Sequence, residues 1–287
     1  CALPIWAAQV AWNSGRAVLI GGVGGIGKSR LLAELVATTA SAGALEFRAR
    51  PGDAGAPYAT ATSLLMQALE RFAPVLDGAV RGELARLLPV LGEPPAGPAR
   101  QAVLWHAVDA LLGGCLPQGL SALVVDDLHL ADNASLELLR WLLASPGLDA
   151  LRWAFAARLD EPGTATQALQ DWLGESTRIE PVHLQPLGLE PVRELIGSLP
   201  LRLLDDAGAD FADRLHQHAG GHPFYMLETL KSLVLGGPAA AQDLPHPPAV
   251  AVLIRRRLAQ LSPAARALAH LLAVGGIALP PTAVAEV

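Results

Sequence analysis

Gly22-Val23-Gly24-Gly25-Ile26-Gly27-Lys28-Ser29 lies between a short apolar run, Arg16–Gly21, and a segment, Ser29–Ala40, whose Leu31, Leu32, Leu35 and Val36 share one helical face. The order is strand, glycine-rich turn, helix. Glycines let such a turn fold tightly and aim several backbone N–H groups at one anion, and the helix that follows adds its positive N-terminal end. The ending Gly27-Lys28-Ser29 fits a phosphate loop. Lys28 is placed to reach β- and γ-phosphates, and the Ser29 hydroxyl to ligate Mg²⁺. The phosphate-binding set is therefore Gly22, Gly24, Gly25, Ile26, Gly27, Lys28, Ser29 and Arg30. The chain has two lysines, Lys28 and Lys231, so a chance Gly-Lys-Ser is improbable.

Outward from the loop, apolar runs alternate with helical periodicity. Strands are expected at Arg16–Gly21, Leu45–Ala49, Leu120–Asp126, Leu151–Ala157 and Arg178–Leu184. The region 51–118 reads as mostly helical with a loop at Gly92–Pro98, and Asp132–Ala144 as a helix with Leu136, Leu139, Leu142 and Leu143 facing inward. This pattern implies an α/β fold with a mainly parallel, five-stranded sheet. Past residue 185 the strand signals stop. Helices are expected at 189–199, 205–219, 223–235, 247–261 and 263–273, with Gly220-Gly221 and Gly236-Gly237 as stops and Pro223 and Pro263 as first helical residues. Gly236–Pro248 reads as a linker.

Leu123-Val124-Val125-Asp126-Asp127 sets two carboxylates at the C-terminal end of an apolar strand, the edge where open α/β sheets bind ligands. Asp126 is expected to hold Mg²⁺ through its water shell, and Asp127 to polarise the attacking water. Arg158 ends the fourth strand at the same edge, where it could sense a γ-phosphate. Asp132 and Asn133 read as helix N-caps, and His129 as loop packing.

Composition narrows the rest. The chain has 287 residues, a net charge of −6 and 52% hydrophobic residues, which favours a packed interior over disorder and argues against a general nucleic-acid or anionic-membrane surface. Two cysteines, Cys1 and Cys115, cannot make a disulfide framework and suit a reducing, cytoplasmic setting. No apolar run reaches membrane length without a charge, His or Pro. Cys1-Ala2-Leu3-Pro4-Ile5 resembles a translated sequencing-library adapter, so residues 1–9 are set aside as a non-native or truncated N-terminus. The C-terminus stops within a helical pattern, as expected of a fragment.

Gly27-Lys28-Ser29-Arg30-Leu31-Leu32, Val124-Val125-Asp126-Asp127-Leu128-His129-Leu130-Ala131-Asp132 and Gly221-His222-Pro223-Phe224, in that order, resemble the STAND class of AAA+-related P-loop ATPases. More narrowly, the chain is similar to the ATPase modules of large bacterial LuxR-type and BTAD/SARP-type transcriptional regulators. Related modules accompany some adenylate cyclases and Ser/Thr kinases. The resemblance implies a P-loop ATPase core over 10–185, a helical lid over 186–240 and the start of a winged-helix domain over 246–287. It also implies that Pro223, opening a lid helix, packs near the nucleotide. Two departures stand out: a Val-Gly-Arg-Glu-like adenine-binding segment ahead of the first strand is missing, and Leu130 stands where tryptophan is usual.

The resemblance implies ATP and Mg²⁺ as cofactors, slow hydrolysis to ADP and phosphate, output through effector domains outside this sequence, and nucleotide-dependent self-association as a further property. A turnover motor is the rival reading. It needs a trans arginine, for which nothing selects Arg140 or Arg152. A binding-only module is a third. A GTPase is disfavoured by the missing Asn-Lys-x-Asp motif, an ABC subunit by the missing Leu-Ser-Gly-Gly-Gln run, and a dinucleotide fold by Lys28-Ser29. His216, His218 and His222 read as solvated helix-end residues rather than a metal site, because i and i+2 leave a helix on different faces. Arg255-Arg256-Arg257 reads as a solvated helix face, not a nucleic-acid surface.

Overall fold

A computed structural model of the chain describes residues 2–38, 43–159, 164–199, 210–236 and 244–275. The chain divides into two compact units, Cys1–Leu187 and Gly188–Val287. The first unit is a five-stranded sheet of β1 (Ala17–Gly21), β2 (Ala44–Arg48), β3 (Ala122–Asp126), β4 (Arg152–Ala157) and β5 (Ile179–His183). The spatial order is β2-β3-β4-β1-β5 and every pairing is parallel. Its helices are α1 (Ala2–Asn13), α2 (Lys28–Thr38), α3 (Ala59–Phe72), α4 (Gly78–Leu84), α5 (Gln101–Cys115), α6 (Asn133–Leu143) and α7 (Thr164–Glu175).

Strand alternation divides the core in two. Leu19, Leu45, Phe47, Leu123, Val125, Trp153 and Phe155 point to the face that carries α3, α5, α6 and α7. Val18, Ile20, Ala44, Ala122, Val124, Ala154, Ala156 and Val182 point to the face that carries α1 and α2. Both faces are covered, so β1, β3 and β4 read as continuous apolar runs rather than alternating ones. The α1/α2 face uses four alanines, where the opposite face uses Leu, Phe and Trp. Cys115 is fully buried on the larger-residue side, and burial pushes its thiol up to about 11.

Two helices differ from expectation. Residues 1–9 were set aside; α1 begins at Ala2, and Ala8, Ala11 and Trp12 are at most 3% exposed against Val18, Ile20 and Val182. Apolar burial packs this helix on the sheet. Helix α7 had no counterpart in the sequence reading. Ala165, Leu169 and Trp172 bury one face of it, with Trp172 tilted 5.6 Å from Phe155.

The second unit is helical among its described residues: α8 (Leu189–Ser198), α9 (Phe211–Ala219), α10 (Pro223–Gly236), α11 (Pro248–Gln260) and α12 (Pro263–Gly275). The expected helix start at 205–209, most of the expected linker and residues 276–287 lie outside the described residues. Helix α9 stops at Gly220 and Gly221, whose φ values of 60° and 69° are left-handed, and Pro223 then opens α10. Two of the three histidines near this junction, His218 and His222, are not solvated as expected. His222 is 6% exposed and stacks on Tyr225 at 4.1 Å. His218 is half-buried, stacks on His246 at 4.7 Å, and has Nε2 3.2 Å from the Pro245 carbonyl oxygen. Packing on aromatic rings explains the burial. Arg255 is exposed; the side chains of Arg256 and Arg257 lie outside the described ones. No described helix is long and apolar enough to cross a membrane.

Candidate nucleotide and metal site

In the sheet, β4 lies between β1 and β3. The loop after β1, the acidic pair after β3 and Arg158 after β4 therefore meet at one C-terminal edge, from three neighbouring strands. The loop residues Gly22–Gly27 lead straight into α2, whose Leu31 N–H donates to the Gly27 carbonyl at 3.0 Å. Gly25 and Gly27 have φ of 82° and 111°, so any side chain there would strain the backbone. At Gly24 the constraint is contact: a Cβ would sit 3.1 Å from the Arg158 guanidinium carbon. The structure thus lays Arg158 against the loop. Ile26 is 5% exposed and anchors the loop below.

Lys28 is 6% exposed. Its Nζ donates to the Gly22 carbonyl at 2.7 Å and the Val23 carbonyl at 2.9 Å. A cation so held satisfies two loop carbonyls and stays at the mouth of the loop. Arg30 points away, exposed on α2 and paired with Glu34 one turn on.

The Ser29 hydroxyl donates to Asp126 Oδ2 at 2.7 Å, and the other carboxylate oxygen, Oδ1, accepts the Asp127 N–H at 2.9 Å. Asp127 has φ of 53°, a left-handed conformation that aspartate adopts more readily than most residues other than glycine. It turns the chain sharply off the strand into a single 3-10 turn, Leu128–Leu130. His129 in that turn accepts the Arg158 N–H on Nδ1 at 3.3 Å, so it joins the acidic loop to the end of β4. Packing was the role expected of it.

One participant was missed. Arg48, the last residue of β2, is the register partner of Asp126. Its Nη2 lies 2.6 Å from Asp126 Oδ2, and its Nε lies 3.2 Å from Asp127 Oδ2. The bond to Asp126 holds its guanidinium above its ordinary pKa. No local motif marks this arginine; only the β2–β3 register brings it here. The donors that converge here, a hydroxyl and two carboxylates, are hard oxygen ligands of the kind Mg²⁺ takes, and the structure already accommodates a cation among them.

Asp132 does more than the expected cap. It is 3% exposed, and its carboxylate accepts from Ser135 N–H at 2.8 Å, Ser135 Oγ at 2.7 Å, Tyr58 N–H at 2.7 Å and Thr60 N–H at 3.1 Å. One buried carboxylate therefore serves the N-termini of both α3 and α6, where the helix dipoles favour negative charge. Pro223 belongs to the second unit and is described there only as the first residue of α10.

A family model described as AAA ATPase domain matches residues 7–155, just over half of the chain. No curated protein matches the sequence. Among solved structures, the chain is similar to a Signal Transduction ATPase with Numerous Domains (STAND) protein with a tetratricopeptide repeat sensor from Pyrococcus horikoshii. The two are 16% identical with a TM-score of 0.49, over 79% of this chain and 29% of that one. It is also similar to Cdc6p from Pyrobaculum aerophilum, at 14% identity and a TM-score of 0.44, over 84% of this chain and 62% of that one. The chain thus spans under a third of the STAND protein and less than two thirds of Cdc6p.

Proposed function

This chain belongs to the AAA ATPase domain family, and we propose that it is an ATP- and Mg²⁺-binding switch module that hydrolyses slowly, working inside a larger bacterial transcriptional regulator. The observation that carries the nucleotide reading is the convergence of Lys28, Ser29, Asp126, Asp127 and Arg158 from three strand ends on one loop. The N–H groups of Gly24, Gly25, Ile26 and Gly27 and the start of α2 take phosphate oxygens. Lys28 exchanges its loop carbonyls for β- and γ-phosphate oxygens. Ser29, and Asp126 through the metal's water shell, would hold Mg²⁺, which would supply positive charge to those oxygens. Asp127 orients water toward the γ-phosphorus, ADP and phosphate are released, and Arg158 reads whether the γ-phosphate is present.

Separate roles for the two carboxylates give separate phenotypes. Asp127→Asn is expected to keep ATP and Mg²⁺ bound and slow hydrolysis at least about tenfold. Asp126→Asn is expected to weaken the Mg²⁺ dependence of binding. Parallel calorimetry and phosphate release would distinguish the two, and an identical binding defect in both would remove the division of labour.

The switch role lies with the second unit, whose helices α11 and α12 we assign to the start of a winged helix. Gly221-His222-Pro223 is a stiff junction, because proline fixes its own φ and restricts the residue before it. The resemblance implies that Pro223 packs near the nucleotide, and on that reading a phosphate-dependent shift would pass to the helices that follow. A ligand moves such an equilibrium only through different affinities for its two states. ATP and ADP should therefore give different protease sensitivity within 236–248, and Pro223→Ala should shrink that difference more than it shrinks ATP affinity. Identical cleavage with ATP, ADP and no nucleotide would show that the chain alone is no switch.

A further inference from the structure

Arg48 lies outside every motif of the loop and the acidic pair, yet one guanidinium touches each oxygen-bearing side chain assigned to the metal and the water. Nη2 donates to Asp126 Oδ2 at 2.6 Å and to Ser29 Oγ at 3.2 Å. Nε donates to Asp126 Oδ2 at 3.2 Å and lies 3.2 Å from Asp127 Oδ2. The arrangement is asymmetric in exposure: the Arg48 side chain is 62% exposed, against 14% for Asp126 and 22% for Asp127. The carboxylates are mostly withdrawn from water, while the cation between them is largely exposed to solvent.

Two adjacent carboxylates favour a cation, and the guanidinium occupies carboxylate lone pairs that the water shell of a hard metal ion would use. Asp126 Oδ2 already accepts from Arg48 Nη2, Arg48 Nε and Ser29 Oγ, which saturates it. We propose that Arg48 is the resident counter-cation of the Mg²⁺ site. It holds Ser29, Asp126 and Asp127 together before the metal enters, and it must be displaced for the metal to bind. Arg48 therefore sets the Mg²⁺ concentration at which the site loads. This inference rests on the reading of Ser29 and Asp126 as the metal's residues. Its alternative is a purely structural bridge that pins β2 to β3.

The test is a Mg²⁺ titration of the whole chain at a fixed, subsaturating concentration of a non-hydrolysable ATP analogue, with analogue binding followed by calorimetry. An exposed ion pair is worth roughly 0.2–1 kcal/mol, so Arg48→Met is expected to lower the Mg²⁺ midpoint by up to about fivefold. Arg48→Lys keeps the charge but loses the fork, so its midpoint is expected to fall between the two. It also carries the test if the methionine variant fails to fold. A midpoint unchanged or raised in a variant that melts like the parent protein overturns the inference and leaves the structural bridge. Analogue binding that ignores Mg²⁺ in the parent protein overturns the metal reading of Ser29 and Asp126 as well, while leaving the phosphate loop untouched.

Discussion

Lys28→Ala is expected to bind ATP at least about tenfold more weakly than the parent protein, a loss of roughly 1.4 kcal/mol or more. The size follows from where the ammonium sits. Lys28 is 6% exposed, and its Nζ already makes two short bonds to the Gly22 and Val23 carbonyls. It is held over the loop without first being ordered by ligand, so little rotamer entropy remains to be lost on binding. Charge-assisted bonds to phosphate are about twice as strong as neutral ones, and none of the neighbouring arginines can substitute for Lys28. Arg30 points outward and pairs with Glu34, and Arg158 lies against Gly24. Alanine also releases two loop carbonyls, so the variant's thermal unfolding should be recorded beside its calorimetry. Parent-like affinity in a folded Lys28→Ala protein would remove the phosphate-loop assignment.

Asp132→Ala is expected to destabilise the first unit by about 3 kcal/mol or more, the largest stability effect of a single substitution near the site. Asp132 accepts four hydrogen bonds in a buried setting. Bonds to a charged group are worth about 1.5–3 kcal/mol, and each buried donor left without a partner costs about 1–3 kcal/mol. The Tyr58 and Thr60 N–H groups would lose their acceptor at the start of α3, and Ser135 would lose its own at the start of α6. Ser135 Oγ, which also accepts the Ala61 N–H at 2.9 Å, would keep that bond but lose its orientation. Denaturant unfolding of the two variants Asp132→Ala and Asp132→Asn gives the measurement. Asparagine keeps the shape and one oxygen, so it should lose less than alanine. A loss below about 1 kcal/mol for alanine would mean that the two helix starts do not depend on this carboxylate.

What was legible in the sequence was what is local. The glycine-rich loop is one contiguous stretch, and the order of β1, loop and α2 around it follows from immediate neighbours. β1, β3 and β4 were legible because two covered faces leave no polar positions to break their apolar runs. The acidic pair was legible because Asp126 closes such a run. Helix α7 was passed over although its buried Ala165, Leu169 and Trp172 stand at i, i+4 and i+7, the spacing of one helical face. The role of Arg48 was hidden for a different reason. It depends on the pairing of Arg48 with Asp126, partners far apart in the chain, and register is a property of the assembled sheet. Asp132 shows the same limit: its cap on α6 is local and was read, while its service to α3 comes only from packing. The burial of His222 against Tyr225 likewise follows from how α10 starts at Pro223, which a helical count along α9 does not show.

Isothermal titration of ATP into the parent chain, with Mg²⁺ and with EDTA, tests the nucleotide site most directly. The expected result is saturable binding at one site per chain, tighter with Mg²⁺ and lost or weakened at least about tenfold in Lys28→Ala. Absence of saturable binding to the folded chain, or binding that Lys28→Ala leaves unchanged, would contradict it.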